Sequence, residues 1–108
     1  MSEAAKKFRQ AAVERVRGGD GRASTADRRA AFANKDVPEN ARALIDKVAK
    51  TAWKVTDEDV AAAKAAGMSE DQLFELTVCA AMGQATRQLD SALSALAEAT
   101  NQPTKETP

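Results

Sequence analysis

The apolar residues of this 108-residue chain constrain its fold most, because alanine supplies many of them and aromatic residues very few. Hydrophobic residues make up 44% of the sequence, whereas Phe and Trp together make up 4%. A core built from small side chains requires backbones that approach closely, as packed helices do. Five Gly, three Pro and no Tyr leave little material for hairpin turns or twisted strands. The composition predicts an all-α protein, a small antiparallel bundle of about five helices.

Short sequence signals indicate where these helices begin and end. Ser24, Thr56 and Ser69 are typical N-cap residues, and Gln72 follows Ser69 at the spacing of a capping box. Glycine at position 67 is typical of the residue just past a helix end. The glycine-rich stretch 18–21 and the polar stretch 34–36 predict breaks. The predicted helices cover residues 2–17, 26–33, 38–53, 57–66 and 70–99.

Charge divides the chain into three segments. Residues 1–36 carry nine basic and five acidic side chains, so their net charge of +4 balances the −4 of the remainder. The asymmetry is interpreted either as solvated helix faces of opposite bias or as docking of the basic segment, within the chain or between subunits. The predicted organisation is a basic N-terminal helical arm over residues 1–36, either mobile or docked, a helical core domain over 37–100 and a disordered tail over 101–108. Nucleic acid is a poor candidate partner for the arm, because acids are interspersed among its arginines and aromatics are few.

The last predicted helix carries more apolar surface than a small core can cover. Gly83 and its small neighbours indicate close approach of another helix, or a kink. The stripe continues to the end of the helix, and we expect a homo-oligomer. The stripe consists of Leu73, Leu76, Cys79 or Ala80, Gly83, Leu89, Leu93 and Leu96.

The two candidate catalytic residues are Cys79 and Glu75, one helical turn apart. Cys79 is interpreted either as a redox-sensing or intersubunit thiol or as a small buried hydrophobic residue, and Glu75 either as a base or as the rim of the apolar stripe. A metal site at the acids of residues 57–59 is a weaker interpretation than helix-dipole complementarity, so we expect neither metal nor cofactor. Trp53 is interpreted as a core residue and not as a stacking platform. Arg87 is interpreted as a solvated surface residue in preference to a buried polar contact with Asp90 or Gln84 at an interface.

The features that the sequence lacks predict the cellular location of the chain. A single cysteine excludes an intrachain disulfide, and the polar Ser2–Glu3 after Met1 does not resemble a secretory signal. No run approaches the roughly 18 apolar residues of a membrane span. We expect a cytoplasmic protein without a membrane partner.

Two stretches resemble a known family. The sequence V-T-D-E-D-V at residues 55–60, followed by A-A-G-M-S-E-D-Q-L-F-E-L at 65–76, resembles the carboxymuconolactone decarboxylase and alkylhydroperoxidase-D-like family, in which such a segment links two helices after the active site. The runs V-C-A-A-M-G at 78–83 and R-Q-L at 87–89 are similar to its last long helix. The resemblance covers residues 38–96 and implies an all-α fold that assembles into trimers or hexamers.

The chemistry of the family does not transfer to this sequence. Active members use a Glu, a Cys-x-x-Cys pair and a His, with one thiolate attacking and the second thiol resolving. This chain has no His, and Met82 stands where a second cysteine would follow Cys79. Cys79 also falls in the later helix, so it does not correspond to the catalytic cysteines.

Three functions remain open from the sequence. The leading hypothesis is a non-catalytic, oligomeric structural or protein-interaction module on this scaffold. The second is an enzyme or small-ligand-binding member of the family with a non-standard site around Glu75 or Arg87. The third is a regulatory module whose basic N-terminal arm binds an acidic partner.

Overall fold

The computed structural model describes the backbone of residues 2–106 and the side chains of residues 2–100. Over that range the chain is helical and contains no strand, which confirms the all-α prediction. Short connections join five α-helices, and one 3-10 turn follows the third. The elements are α1 (Glu3–Gly18), α2 (Thr25–Ala33), α3 (Glu39–Thr51), the 3-10 turn (Ala52–Lys54), α4 (Asp57–Ala65) and α5 (Glu70–Glu106).

Side-chain caps define the starts of three helices, as the sequence predicts. The Ser24 hydroxyl accepts a hydrogen bond from the Asp27 N–H at 3.0 Å. Thr56 and Asp59 form a reciprocal capping box at the start of α4. At the start of α5, Ser69 and Gln72 do the same, at 3.1 and 2.9 Å. Each cap satisfies backbone N–H groups that the helix itself leaves unpaired.

The helix ends agree with the sequence in two places and differ in a third. Asn34 ends α2 in the left-handed conformation, with φ 51°, and Gly67 follows α4 with φ 109°. α5, in contrast, runs to Glu106, past the predicted end at residue 99. This extension of α5 includes a proline. The missing N–H of proline removes a single helical hydrogen bond, and the described backbone stays helical through that residue. The predicted tail beyond Glu106 lies outside the described residues.

The core forms where α2 and α3 pack against the first half of α5. Ala23 and Ala31, from the segment that the sequence assigns to a separate arm, belong to the same buried cluster as Leu44, Ile45 and Leu76. Their small side chains allow α2 to approach α5 closely, so residues 22–33 pack as part of the core. Partly buried Val16 and Phe32 pack against its edge.

α1 runs antiparallel along α5. The Val16 carbonyl lies 3.5 Å from the Cys79 sulfur, and Arg9 forms an ion pair with Asp90 at 2.8 Å. The N-terminal half of α1 is only partly covered, since Phe8 is 80% exposed. Among residues 2–106, none of the helices combines the length and hydropathy that a membrane span requires.

Candidate functional site

Cys79 lies on the core face of α5 and is completely buried. Its thiol donates a hydrogen bond to the Val16 carbonyl at 3.5 Å. Burial raises the pKa of the Cys79 thiol, and the nearby positive charges of Arg28 and Arg17 only partly oppose that effect. Because the thiolate is the nucleophilic form, a buried thiol with a raised pKa is chemically inert. Cys79 thus has the burial that its interpretation as a packing residue requires.

Glu75 holds the loop that connects α1 to α2. Its two carboxylate oxygens accept hydrogen bonds from the backbone N–H groups of Arg22 and Ala23, both at 2.9 Å. Partial burial raises the pKa of the Glu75 carboxyl, but these two bonds outweigh burial and the net shift is downward. A Cβ at Gly21 would stand only 2.5 Å from the carboxylate, so glycine is what lets the loop close over Glu75. The carboxylate is ionised and occupied as a structural acceptor.

Arg28 lies close to Cys79 and Glu75, and we call these three residues the Cys79 cluster. The sequence does not identify Arg28 as a member. Arg28 is only 5% exposed, beneath α1, and one guanidinium nitrogen donates to the Val16 carbonyl at 3.2 Å. Its Nε is buried and has no partner among the described residues. The charge of Arg28 lowers the pKa of both Glu75 and Cys79. The one sequence signal for the burial of Arg28 is its position three residues before Ala31, which places both residues on the same face of α2.

The C-terminal end of α2 rests directly on Gly83 of α5. A Cβ at Gly83 would overlap the Phe32 carbonyl, so no other residue fits without separating the two helices. Arg87 reaches back to the same carbonyl at 2.7 Å and to Gln84 at 3.1 Å. The prediction of close helix approach at Gly83 is confirmed, and Arg87 is exposed, as its interpretation as a surface residue has it. Asp90 pairs instead with Arg9.

Two other sequence interpretations have different outcomes. Trp53 is 79% exposed, so its assignment to the core is wrong: α3 ends at Thr51, and the 3-10 turn that follows directs the ring away from the core. Of the three acids at residues 57–59, Asp59 accepts from Lys47 at 2.8 Å and from the Thr56 N–H at 2.9 Å. Over residues 2–100, no three His, Cys, Asp or Glu side chains cluster in a way that would hold a metal ion.

The surface has an open groove of about 510 Å³ between α3 and α4, and another of about 480 Å³ beside the connection from α2 to α3. The walls of the larger groove include Glu39, Asn40, Leu44 and Asp59, whereas Cys79 and Glu75 do not line it. The polar side chains of the groove are spaced along two helices and do not converge on one point as they do in an enclosed ligand site. The groove and the Cys79 cluster are therefore separate features.

The second half of α5 differs from the first because its leucines are not covered. The sequence predicts one apolar stripe along the whole helix that a small core does not fully cover, and Leu89 is 39% exposed and Leu96 is 60% exposed. Leu93 is half-buried. The expected stripe is therefore fully buried only as far as Gly83.

The exposed leucines belong to a different line of residues, which we call the outer stripe. Its members recur every three or four residues and therefore lie along one side of α5. Phe74, at the other end of the stripe, is 69% exposed. All the members are exposed except the half-buried Val78. The outer stripe consists of Phe74, Val78, Ala81, Ala85, Leu89, Ala92, Leu96 and Ala99.

Comparison of the chain with models of protein families, with curated proteins and with solved structures gives no significant match.

Proposed function

We propose that this chain is a non-catalytic, oligomeric helical protein that acts as a structural or protein-interaction module through the outer stripe of α5. The observation that carries the proposal is the exposure of Phe74, Leu89 and Leu96 along one helix side. Single exposed apolar residues are ordinary, but a continuous line of them is typical of an interaction surface. The stripe is also free of charged residues, which is typical of the centre of a protein interface.

The state of the two candidate catalytic residues supports the non-catalytic part of the proposal. Cys79 is buried with a raised pKa, and Glu75 is fixed to two backbone N–H groups. A base or nucleophile must be free to contact a substrate, and both side chains are used in packing. The chain also has no histidine to move protons near neutral pH.

The likeness to the carboxymuconolactone decarboxylase and alkylhydroperoxidase-D-like family is part of the proposal. Its support is that residues 55–76 include α4, a turn at Gly67 and the start of α5. This is the helix–turn–helix arrangement that the resemblance implies for the segment. Loss of the Cys-x-x-Cys pair and the His then accounts for a scaffold used without its reaction.

Activity assays test the non-catalytic part. Purified protein is assayed for peroxide reduction with a dithiol reductant and for oxidation of a dithiol substrate. We expect no turnover above the uncatalysed rate, for the wild type and for Cys79→Ser alike. Turnover that persists in Cys79→Ser would contradict the proposal, because it would require a site other than the only thiol. Turnover lost in that variant would contradict it too, by making Cys79 catalytic.

Photo-crosslinking in the cells that make the protein tests the interaction part. A photoreactive residue is placed at Ala85 on the outer stripe or, as a matched control, at Trp53, which is 79% exposed on a different surface. We expect crosslinks to protein from position 85 and at least several-fold fewer from position 53. Equal or absent crosslinking at the two positions would contradict the proposal. The masses of the products show whether the partner is a copy of the chain or another protein.

A further inference from the structure

We propose that the partner of the outer stripe is a second copy of this chain, packed antiparallel with its centre between Thr86 and Arg87. This inference rests on the proposed function, since it names the partner of the same surface. It places the two α5 helices side by side with their outer stripes in contact. α1 leaves the surface open, because its contacts Arg9–Asp90 and Val16–Cys79 lie on another side of α5.

The sizes of its side chains make the outer stripe complementary to a second, antiparallel copy of itself. A twofold interface requires a surface that matches itself, and interdigitated packing favours a large residue opposite a small one. Around a centre between residues 86 and 87, Phe74 and Leu89 each lie opposite an alanine, and alanine lies opposite alanine at one further position. To within one residue of exact opposition, the pairs are Phe74 with Ala99, Val78 with Leu96, Ala81 with Ala92, and Ala85 with Leu89.

Charge selects the antiparallel orientation. The residues that border the stripe, among them Thr77, Gln84 and Gln88, are uncharged, so two copies meet without like-charge repulsion. A parallel pair would bring Glu70 and Asp71 against their own copies and would align two helix dipoles. The antiparallel pair places these acids at opposite ends of the contact. Orientation therefore follows from charge, and register from side-chain size.

The length of the stripe is sufficient for a dimer of moderate affinity. From Phe74 to Ala99 the helix rises about 38 Å. A contact of that length between two helices about 10 Å wide buries on the order of 1,000 Å² in total, near the lower limit of a stable specific interface. We therefore expect dissociation in the micromolar range.

Distances between spin labels test the orientation and the register. Ser91→Cys and Glu98→Cys place labels on exposed positions outside the stripe, in a Cys79→Ser background whose hydroxyl still donates to Val16. In the proposed dimer the separation along the helix axis grows by about 3 Å for each residue away from the centre. The label–label distance at position 98 should therefore exceed that at position 91 by about 15–20 Å. If Cys79→Ser perturbs the fold, the same labels are attached with Cys79 retained, since the buried thiol is inaccessible to reagent.

The outcomes of these experiments test the second copy as partner separately from the proposed interaction function. Equal distances at positions 91 and 98 would indicate a parallel pair and would overturn the inference. A monomer or trimer in sedimentation equilibrium of the purified protein at 100 µM would overturn it as well. If position 85 nevertheless crosslinks in cells to other proteins, the interaction function stands and only the second copy is excluded. A dimer with the longer distance at position 98 supports both.

Discussion

The two sides of α5 carry similar small residues, but one side is buried and the other is exposed. On the core side, Cys79, Ala80 and Gly83 are buried against α2 and its neighbours. On the outer side, Ala81, Ala85 and Ala92 are exposed, together with larger apolar residues. Small residues alone therefore do not decide what a helix side packs against.

Polar anchors make the difference. Around the core side, Glu75 binds the loop before α2 at 2.9 Å, Arg28 binds the Val16 carbonyl at 3.2 Å, and Arg87 binds the Phe32 carbonyl at 2.7 Å. Such directional bonds fix one intrachain partner in one register. The outer stripe has no polar member, and in our proposal it selects its partner by side-chain size and by the absence of charge. The comparison predicts large folding effects from changes on the core side and association effects from changes on the outer side.

The largest expected effect is at Gly83. Gly83→Ala should lower the free energy of unfolding by about 3 kcal/mol, because its Cβ would overlap the Phe32 backbone and force α2 away from α5. Urea unfolding monitored by circular dichroism measures this. The matched control is Gly18→Ala, where the nearest atom, from Arg29, lies 3.8 Å from the new Cβ. Gly18→Ala should lose no stability. An equal loss in both variants would contradict the prediction, because the loss would then come from replacing any helical glycine and not from the tight contact at Gly83.

The next effect is at Glu75. Glu75→Gln should cost about 1–2 kcal/mol at pH 7, since a charged acceptor of two backbone bonds becomes a neutral one. The folded pKa of Glu75 lies below its ordinary value of 4.5, so the stability it contributes is complete above pH 4.5 and is lost as the pH falls through the folded pKa. Wild type and variant should therefore converge in strongly acidic urea titrations. A constant difference at every pH would contradict this role, and Glu98→Gln, an exposed change on the same helix, is the control.

A smaller loss is expected at Arg87. Arg87→Ala removes the bonds to Phe32 and Gln84 from an exposed side chain and should cost about 1 kcal/mol. Hydrogen exchange should report the loss at the C-terminal end of α2, because the Phe32 carbonyl loses its charged donor. Uniform exchange changes across α5 without any at α2 would show that Arg87 does not anchor α2.

The smallest folding effect is expected on the outer side. Phe74→Ser, at a residue that is 69% exposed, should change the unfolding free energy of the monomer by no more than about 0.5 kcal/mol. Unfolding is measured at a submicromolar protein concentration, below the expected dissociation constant, where most of the chain is monomeric. It is measured again at about 200 µM, where wild type should gain stability that the variant lacks. A large loss at low concentration would place Phe74 in the core and contradict the comparison.

Local features of the fold were predictable from the sequence, and partners were not. Ser24, Thr56 and Ser69 were predictable as caps because a cap depends on residues within one turn. The small size of Gly83 indicated close approach, but that α2 is the neighbour depends on packing over some fifty residues. The burial of Arg28 was not predictable because it depends on the same packing. Trp53 was misplaced because the change from α3 to a 3-10 turn alters the direction of a side chain.

The candidate site was predictable to a similar extent. The sequence identified Cys79 and Glu75 on one helix and the burial of the thiol, but not the loop that Glu75 holds, since no local pattern links residues 53 positions apart. It also predicted a single stripe along the last helix. The structure buries that stripe as far as Gly83 and leaves Leu89 and Leu96 exposed, because these two leucines lie on the outer side of α5.

The most direct test of the central claim, that the outer stripe is the association surface, is sedimentation equilibrium of two matched variants. Leu96→Glu places a charge in the stripe, and Trp53→Glu places the same charge on an equally open site elsewhere. We predict that wild type and Trp53→Glu sediment at 100 µM as dimers, twice the 11.4 kDa of the chain, and that Leu96→Glu weakens association at least about tenfold. Dimers of unchanged affinity in Leu96→Glu, or equal loss in both variants, would contradict it.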